Sequence, residues 1–569
     1  MIRRTVLTVC IAAITGCNFA PPYQRPATSN PAQFKETQAP DANGEWKPAE
    51  PRDDQLGGNW WEIFNDSTLN DLESKVADAN QNVIAAEANF RASRALVDQA
   101  EAGLFPTLTL NPSATRSRSS AAVAQLGGAG SSAGGANGSG TGSTTSPTSG
   151  GTTTQLGGGS TKPHTIYTFP LEATYQVDLW GSVRNNIAQN RFNAEASAAQ
   201  VGTAILTNQS QLAQNYFELR VTDELRRVLA ASLEDFRTSL HLVETLVKNG
   251  IQSEEDLAQA QAQLHSTEAQ ATDLGIARAQ YEHAIAVLIG VPPAQFSIPY
   301  ERVPLNLPDI PVGVPSDLLE RRPDVATAER QVAASNAQIG IARAAFFPNL
   351  TLGANAGYES TSLGKLFDWP NRFWSLGPAL AETIFDGGAR SAQVNRAWAL
   401  NDQAVANYRQ TVLSAFQSVE DNLASLRILS EEVLQQRAAA EASRRAVELS
   451  VVRYRNGVDS YVNVITAQNA FLNSRQAELQ VELRRLVASV SLVNNLGGGW
   501  SSSPLAKVAS GAQPLSDNSV AVRKTTTTAQ AETAPISPPN PPAVVHDFEP
   551  DEILKLDDDA MRAPPQRHR

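Results

Sequence analysis

Tyr167-Thr168-Phe169-Pro170-Leu171-Glu172-Ala173-Thr174-Tyr175-Gln176-Val177-Asp178-Leu179 changes character at every residue. Its odd positions (Tyr167, Phe169, Leu171, Ala173, Tyr175, Val177, Leu179) are apolar, and its even positions are polar or proline. Period two over a dozen residues makes a strand with one apolar and one wet face. In a membrane barrel that pattern puts lipid on one side and the lumen on the other, at about the length needed to cross. Thr107 to Ser117 alternates less cleanly, through Leu108 and Leu110, and offers a partner strand. The competing reading is a soluble hairpin covered by helices.

Working outward, the chain reads as two copies of one unit. Phe105-Pro106-Thr107-Leu108-Thr109-Leu110 returns 242 residues later as Phe347-Pro348-Asn349-Leu350-Thr351-Leu352. Asn249-Gly250 returns as Asn456-Gly457, and Ile289-Gly290 as Leu496-Gly497, both shifted by 207. The shortfall of 35 places an insertion in the first copy, and Ser119 to Thr161 is almost wholly Gly, Ser, Thr and Ala. Such a stretch reads as a flexible loop, and matched landmarks in order are a strong repeat signal.

Between the alternating stretches lie long runs rich in Ala, Gln, Leu, Glu and Arg and almost free of Pro and Gly, which predict helix. They span Val183 to Lys248 and Ser253 to Leu288, then Ala389 to Arg455 and Ser460 to Leu496. Shorter helices are expected over Leu69 to Gly103 and Ser316 to Ala345, each ahead of a strand pair. A helix of some 65 residues is on the order of 100 Å long and needs neighbours along its length. Heptad-like Ala and Leu spacing supplies them.

Four strands per chain, at about 105–118, 165–179, 347–361 and 373–385, cannot close a barrel. An open sheet edge in lipid is prohibitive, so membrane-spanning strands require an oligomer. Three chains would bring twelve strands.

The N-terminus says which membrane. Arg3 and Arg4, the short apolar run Thr5 to Ile14 and Ile14-Thr15-Gly16-Cys17 form a signal peptide over 1–16 with a lipobox. Processing would leave Cys17 first and acylated, followed by a Pro- and polar-rich tether over 17–59. Asn18 in place of Asp resembles lipoproteins sent to the outer membrane. With Cys10 lost and Cys17 lipidated, no disulfide or Cys-based metal site remains. The net charge of −12 gives no electrostatic reason to bind nucleic acid. The remaining organisation is a first repeat over 60–290, a linker over 291–315, a second repeat over 316–500 and a disordered acidic tail over 501–569.

Catalysis finds no foothold and no cofactor is expected. His164, His241, His265 and His283 stand singly, and there is no nucleophile elbow, phosphate loop or paired Cys motif.

Several motifs carry a resemblance that covers nearly the whole of 17–500. Cys17-Asn18-Phe19-Ala20-Pro21-Pro22-Tyr23, Trp60-Trp61-Glu62-Ile63-Phe64, Glu320-Arg321-Arg322-Pro323-Asp324-Val325 and Ala342-Arg343-Ala344-Ala345-Phe346-Phe347-Pro348 are four of them. Phe385-Asp386-Gly387-Gly388 and Arg453-Tyr454-Arg455-Asn456-Gly457-Val458 complete the set. In this order they resemble the TolC/OprM family of outer-membrane factors, in its lipoprotein branch of RND-type efflux systems. The resemblance implies a TolC-like fold: a homotrimer with a twelve-stranded β-barrel in the outer membrane, continued by a periplasmic α-helical barrel. It implies docking to a periplasmic adaptor and an inner-membrane RND-type transporter.

The resemblance also implies where the gate lies. The turns after Asn249-Gly250 and Asn456-Gly457 would form the periplasmic tip, with Gly250, Glu254, Glu255, Gly457 and Asp459 as adaptor-docking positions. Asp256 would bond Tyr454 in the resting lock. Asn463 and Thr466 stand where the family often carries Asp, so a weaker, less cation-selective constriction is expected. The lock's usual basic partner falls at Asp459. A duct for peptide secretion, or a non-conducting lipid-anchored scaffold, are the alternatives. The scaffold would leave the strands' apolar faces without a solvent.

Overall fold

A computed structural model describes residues 18–28, 31, 34–38, 59–118, 163–301 and 321–498. The signal peptide, Cys17, the Gly/Ser insertion, most of the linker and the acidic tail lie outside these residues. Helices α1 (Ser67–Ala79) and α2 (Gln81–Glu101) lead into strands β1 (Thr107–Leu110), β2 (Ser113–Ser117) and β3 (His164–Val177). Two long helices follow, α3 (Ser182–Lys248) and α4 (Glu254–Leu288). The second copy runs α5 (Pro323–Ala344), β4 (Asn349–Ser360), β5 (Arg372–Ala381), α6 (Ala389–Arg455) and α7 (Tyr461–Asn495).

The duplication is realised to the residue. Helices α3 and α6 are each 67 residues long, and α4 and α7 are each 35. Each long helix opens after a left-handed glycine, Gly181 or Gly388. At the hairpin bases Gly290 and Gly497 are at positive φ, and a Cβ there would also lie 2.3 Å from Ala79 O and 2.2 Å from Arg321 O.

Three expectations need correction. The single helix expected over Leu69 to Gly103 breaks at Asn80, which ends α1 and caps α2 by accepting from Asn82 N and Val83 N. Its amide also donates to Leu288 O at 2.8 Å, so the break fits the hairpin base. The strand expected over 165–179 stops at Val177, because Asp178 turns to accept from the Val183 and Arg184 N–H groups at 3.1 and 3.0 Å. The strand expected over 373–385 ends at Ala381, leaving Ile384 and Phe385 exposed outside the sheet.

Four strand positions form one antiparallel meander. Strands β1 and β2 share one register on β3, interrupted at Asn111-Pro112, where proline offers no N–H. Strand β3 pairs with β4 and β4 with β5. Register carries the alternation across every strand. Leu108, Ala173, Ala354 and Leu376 make one row of a continuous apolar face; Leu110, Leu171, Ala356 and Trp374 make the next. On the opposite face, Thr109, Glu172, Asn355 and Ser375 are aligned. The apolar face is bare, with Leu108 66%, Trp374 77% and Leu376 75% exposed. Among the described residues, both outer edges, β1–β2 on one side and β5 on the other, are unpaired.

The main core surrounds the middle of α3, where Trp60, Leu69, Tyr216, Tyr408, Leu486 and Leu492 are almost fully buried. Trp60, Trp61 and Phe64 begin packing there as their apolar character requires. One acid intrudes. Glu73 is fully buried, and neither carboxylate oxygen has a hydrogen-bond partner of its own. Burial holds its pKa well above the ordinary 4.5, and the Ala213 backbone offsets only part of that. A raised folded pKa means that the native state binds more protons, so stability falls as pH rises from about 4.5 through the folded value. Glu73→Gln is expected to remove that slope and to stabilise the protein at neutral pH by about 1–3 kcal/mol, read by thermal unfolding across pH.

Where it is described, the expected tether is docked on the helices rather than free. Tyr23 Oη donates to Glu329 at 2.5 Å, and Asn336 Nδ2 donates to Pro21 O at 2.8 Å. Farther on, Phe34 is buried, the Lys35 and Glu36 N–H groups donate to the Glu420 carboxylate, and Glu36 pairs with Arg427 at 2.8 Å. Burial, then the bond to Glu329, pushes the Tyr23 hydroxyl pKa up.

Candidate functional site

The tips of the two helical hairpins gather the gate positions. Each long helix ends in a glycine at positive φ, Gly250 at +71° and Gly457 at +69°. Gly250 N–H bonds Val247 O and Ile251 N–H bonds Leu246 O; Gly457 N–H bonds Tyr454 O and Val458 N–H bonds Arg453 O. Both are the double bond of a Schellman end, which satisfies the orphan carbonyls of the helix. The residue after each glycine, Ile251 or Val458, is 66% exposed.

Helix α4 starts with Glu254, Glu255 and Asp256, where the helix dipole favours negative charge. Ser253 Oγ accepts from Asp256 N–H at 3.2 Å. On the other hairpin, Asp459 accepts from the Asn463 amide, from Ser460 N–H at 3.0 Å and from Arg453 Nε at 3.2 Å. The Asn463 amide first, then the Ser460 N–H and Arg453, hold its carboxyl below the usual range. Arg453 is the cation paired with Asp459 at this tip. Thr466 is exposed, its hydroxyl turned back to Val462 O at 2.8 Å. Asp459 and Asn463 are bonded to each other, and Thr466 follows one helical turn beyond Asn463.

The lock expected between Asp256 and Tyr454 is not made as a hydrogen bond. Tyr454 is 3% exposed and its Oη has no hydrogen-bond partner. Its ring lies 5.2 Å from that of Tyr461 and packs in a cluster with Val243, Ala260 and Val464. Apolar packing holds the ring against Ala260 and Leu257 in the first two turns of α4, and its hydroxyl takes no bond there. Asp256 still acts through space: after burial, its charge is the next cause raising the Tyr454 hydroxyl pKa. Tyr461 is pushed up to about 12, by burial first and then by Tyr454 and Asp256. Sequence reading missed Tyr461, although an aromatic seven residues after Tyr454, just past Ser460, faces the same turn.

An unpaired buried hydroxyl contributes nothing to a closed tip. Tyr454→Phe is therefore expected to leave stability within about 1 kcal/mol of the original or slightly higher. Tyr454→Ala should cost roughly 3–5 kcal/mol through the cavity it leaves. Chemical denaturation of the two variants separates ring packing from hydrogen bonding.

The sheet is the second part of the site. Among the described residues, no helix is long and apolar enough to cross a membrane. The bare apolar face of the sheet is the element suited to lipid. Its other face presents Glu172, Asn355, Thr109 and Ser375, a polar wall without a nucleophile–base pair. Among the described residues, no group of three or more His, Cys, Asp or Glu is placed to hold a metal ion.

Comparison with known proteins matches this geometry. The family model described as outer membrane efflux protein fits residues 72–291 and 314–498. The solvent efflux pump outer membrane protein SrpC of Pseudomonas putida is 30% identical over 500 residues, covering 85% of this chain and 96% of its own. The cation efflux system protein CusC of Escherichia coli is 28% identical, covering 87% and 98%. Among solved structures, the outer-membrane channel OprN superposes with a TM-score of 0.72 at 27% identity, over 85% of this chain and all of that one.

Proposed function

Because the chain belongs to the outer membrane efflux protein family and has its TolC-like fold, an outer-membrane efflux channel, we infer that it is the exit duct of a tripartite RND-type pump. The observation that carries the reading is the four-strand sheet with one continuous apolar face and two open edges. Those edges cannot remain unpaired in lipid, and three chains would supply twelve strand positions for a closed barrel. The same threefold axis would ring the helical hairpins into a tube beneath it.

The tips then form the periplasmic entrance. Asp256, Asn463 and Thr466 line the gate with Tyr454 packed behind them, and the turns at Gly250 and Gly457, with Glu254, Glu255 and Asp459, meet the adaptor. Ile251 and Val458 give that contact an apolar centre. Cys17 carries the lipid anchor on the periplasmic side. The duct conducts passively; the inner-membrane transporter chooses and drives the substrate. Its polar wall suits small solutes of varied charge, in keeping with relatives named for solvent and for cation efflux.

Deleting the gene should raise retention of a fluorescent apolar dye in cells, and restoring the chain should reverse it. A deletion that left dye retention unchanged but abolished export of a peptide would favour the secretion duct instead. In planar bilayers the purified protein should show only modest preference for potassium over chloride. The charge of Asp459 is offset by its ion pair with Arg453, while Asn463 and Thr466 carry no charge. Strong cation selectivity that survives removal of Glu254, Glu255 and Asp256 would contradict this gate.

A further inference from the structure

The described chain begins at Asn18, one residue after Cys17, and it begins docked. Phe19 stacks on Phe347 with centroids 4.3 Å apart and planes 10° apart, and Trp180 stacks on Phe347 at 4.9 Å. Asn18 Oδ1 accepts from Asn185 Nδ2 at 3.0 Å. Arg343 Nη1 donates to Phe19 O at 3.3 Å, and Trp180 Nε1 donates to Pro348 O at 2.7 Å. This stack lies where the sheet gives way to helices: β3 stops at Val177, just before Trp180, and β4 starts at Asn349, just after Phe347. Aromatic rings at that level are the usual mark of a membrane–water boundary.

Beside the stack is an open cleft of about 500 Å³ whose walls include Phe19, Phe346, Phe347, Val394, Arg343 and Ser391. Three aromatic rings and a valine, against the small polar walls Ser391 and Asn395, make it a mainly lipophilic seat. Its one cation is already engaged, since Arg343 also lies 5.3 Å over the Trp398 ring, so the cleft favours an apolar chain over a phosphate group. Its outer wall is incomplete: Phe346 is 40% exposed, and Ser391 is exposed on the first turn of α6.

We propose that this cleft seats an acyl chain of the lipid carried by Cys17. The proposal rests on the reading of Cys17 as the anchor, and it adds a binding site on the protein for the anchor's own hydrocarbon. At about 3.3–3.6 Å per residue, Cys17 lies within roughly 7 Å along the chain of Phe19, which is itself a wall of the cleft. A chain tethered so close reaches the site at high effective concentration and outcompetes free lipid. Seating it there joins the anchor to the base of the sheet and fixes the height at which the docked N-terminal segment starts.

The test uses cells fed a palmitate analogue bearing a diazirine, with the purified protein irradiated, digested and mapped by mass spectrometry. The Cys17 peptide should carry the acyl mass, and adducts should concentrate at Phe346, Phe347 and Val394. Ser391→Trp, which fills the cleft from an exposed position, should cut those adducts roughly tenfold while Cys17 acylation is unchanged. Phe19→Ala should do the same by removing a wall. An acylated Cys17 with adducts only on bilayer lipid, or scattered over the chain, would overturn the proposal. An unacylated Cys17 would instead refute the anchor itself and remove the proposal's occupant, and the first readout distinguishes that failure from the other.

Discussion

Leu376→Arg is expected to abolish assembly in the outer membrane, whereas Ser375→Arg, one residue earlier, should leave it intact. Both positions are exposed on the same edge strand, β5, so accessibility does not separate them. Register does. Leu376 stands with Leu108, Ala173 and Ala354 in the middle of the apolar face. Ser375 stands with Glu172 and Asn355 on the polar one. A guanidinium facing lipid near the bilayer midplane costs about 2–4 kcal/mol per copy, so a trimer would carry roughly 6–12 kcal/mol. On the other face the same guanidinium meets water and the Glu172 carboxylate. Membrane fractionation with detection of heat-resistant oligomers reads the outcome. Equal loss in both variants would mean that the sheet has no lipid side.

Arg278→Ala should be the most damaging single truncation in the helical body. Arg278 is 6% exposed and holds four things at once. Its Nε donates to Asp223 at 2.8 Å, Nη1 to Glu282 at 3.2 Å and Nη2 to Ile298 O at 2.6 Å. Its guanidinium also lies 3.7 Å over the Tyr300 ring. Glu282 in turn accepts from Ile298 N–H at 2.6 Å, and Arg220 Nη1 bonds Pro299 O at 2.9 Å. The network pins the chain as it leaves the first repeat. Removing the arginine leaves Asp223 with only Arg220, 3.8 Å away, and Glu282 with only the Ile298 N–H, an expected loss of about 3–5 kcal/mol. Burial already holds Asp223 above its ordinary pKa despite the Arg278 bond, so it has little tolerance for losing that partner. Adding Asp223→Asn should recover part of the loss in thermal unfolding; strict additivity would refute the coupling. Lys at 278 should rescue poorly, because one ammonium cannot reproduce the fork.

What was legible in the sequence was whatever depends on local periodicity. The alternation from Tyr167 onward places one strand, and its register then assigns faces to three more. Asn249-Gly250 and Asn456-Gly457 locate both tips, because a glycine free to turn left-handed is a common way to end a helix, and both do so here. The long helices accordingly begin and end within one residue of expectation. The misses are contacts through space. Asn80 reads as one polar residue in a helical run until Leu288 O, 208 positions away, gives its amide a partner. Phe19 reads as part of a tether until Phe347 supplies a stacking face. The Asp256–Tyr454 bond was carried over by resemblance; here the Tyr454 hydroxyl is unbonded and its ring packs beside Tyr461. No periodicity along one chain reports such a pairing of rings.

Single-particle imaging of the protein extracted from outer membranes tests the central claim most directly. Three chains about one axis are expected, with β5 of each paired to the β1–β2 edge of the next and the apolar rows facing outward. A monomer, or an oligomer whose sheets stay open-edged with Leu376 and Trp374 turned inward, would contradict the account.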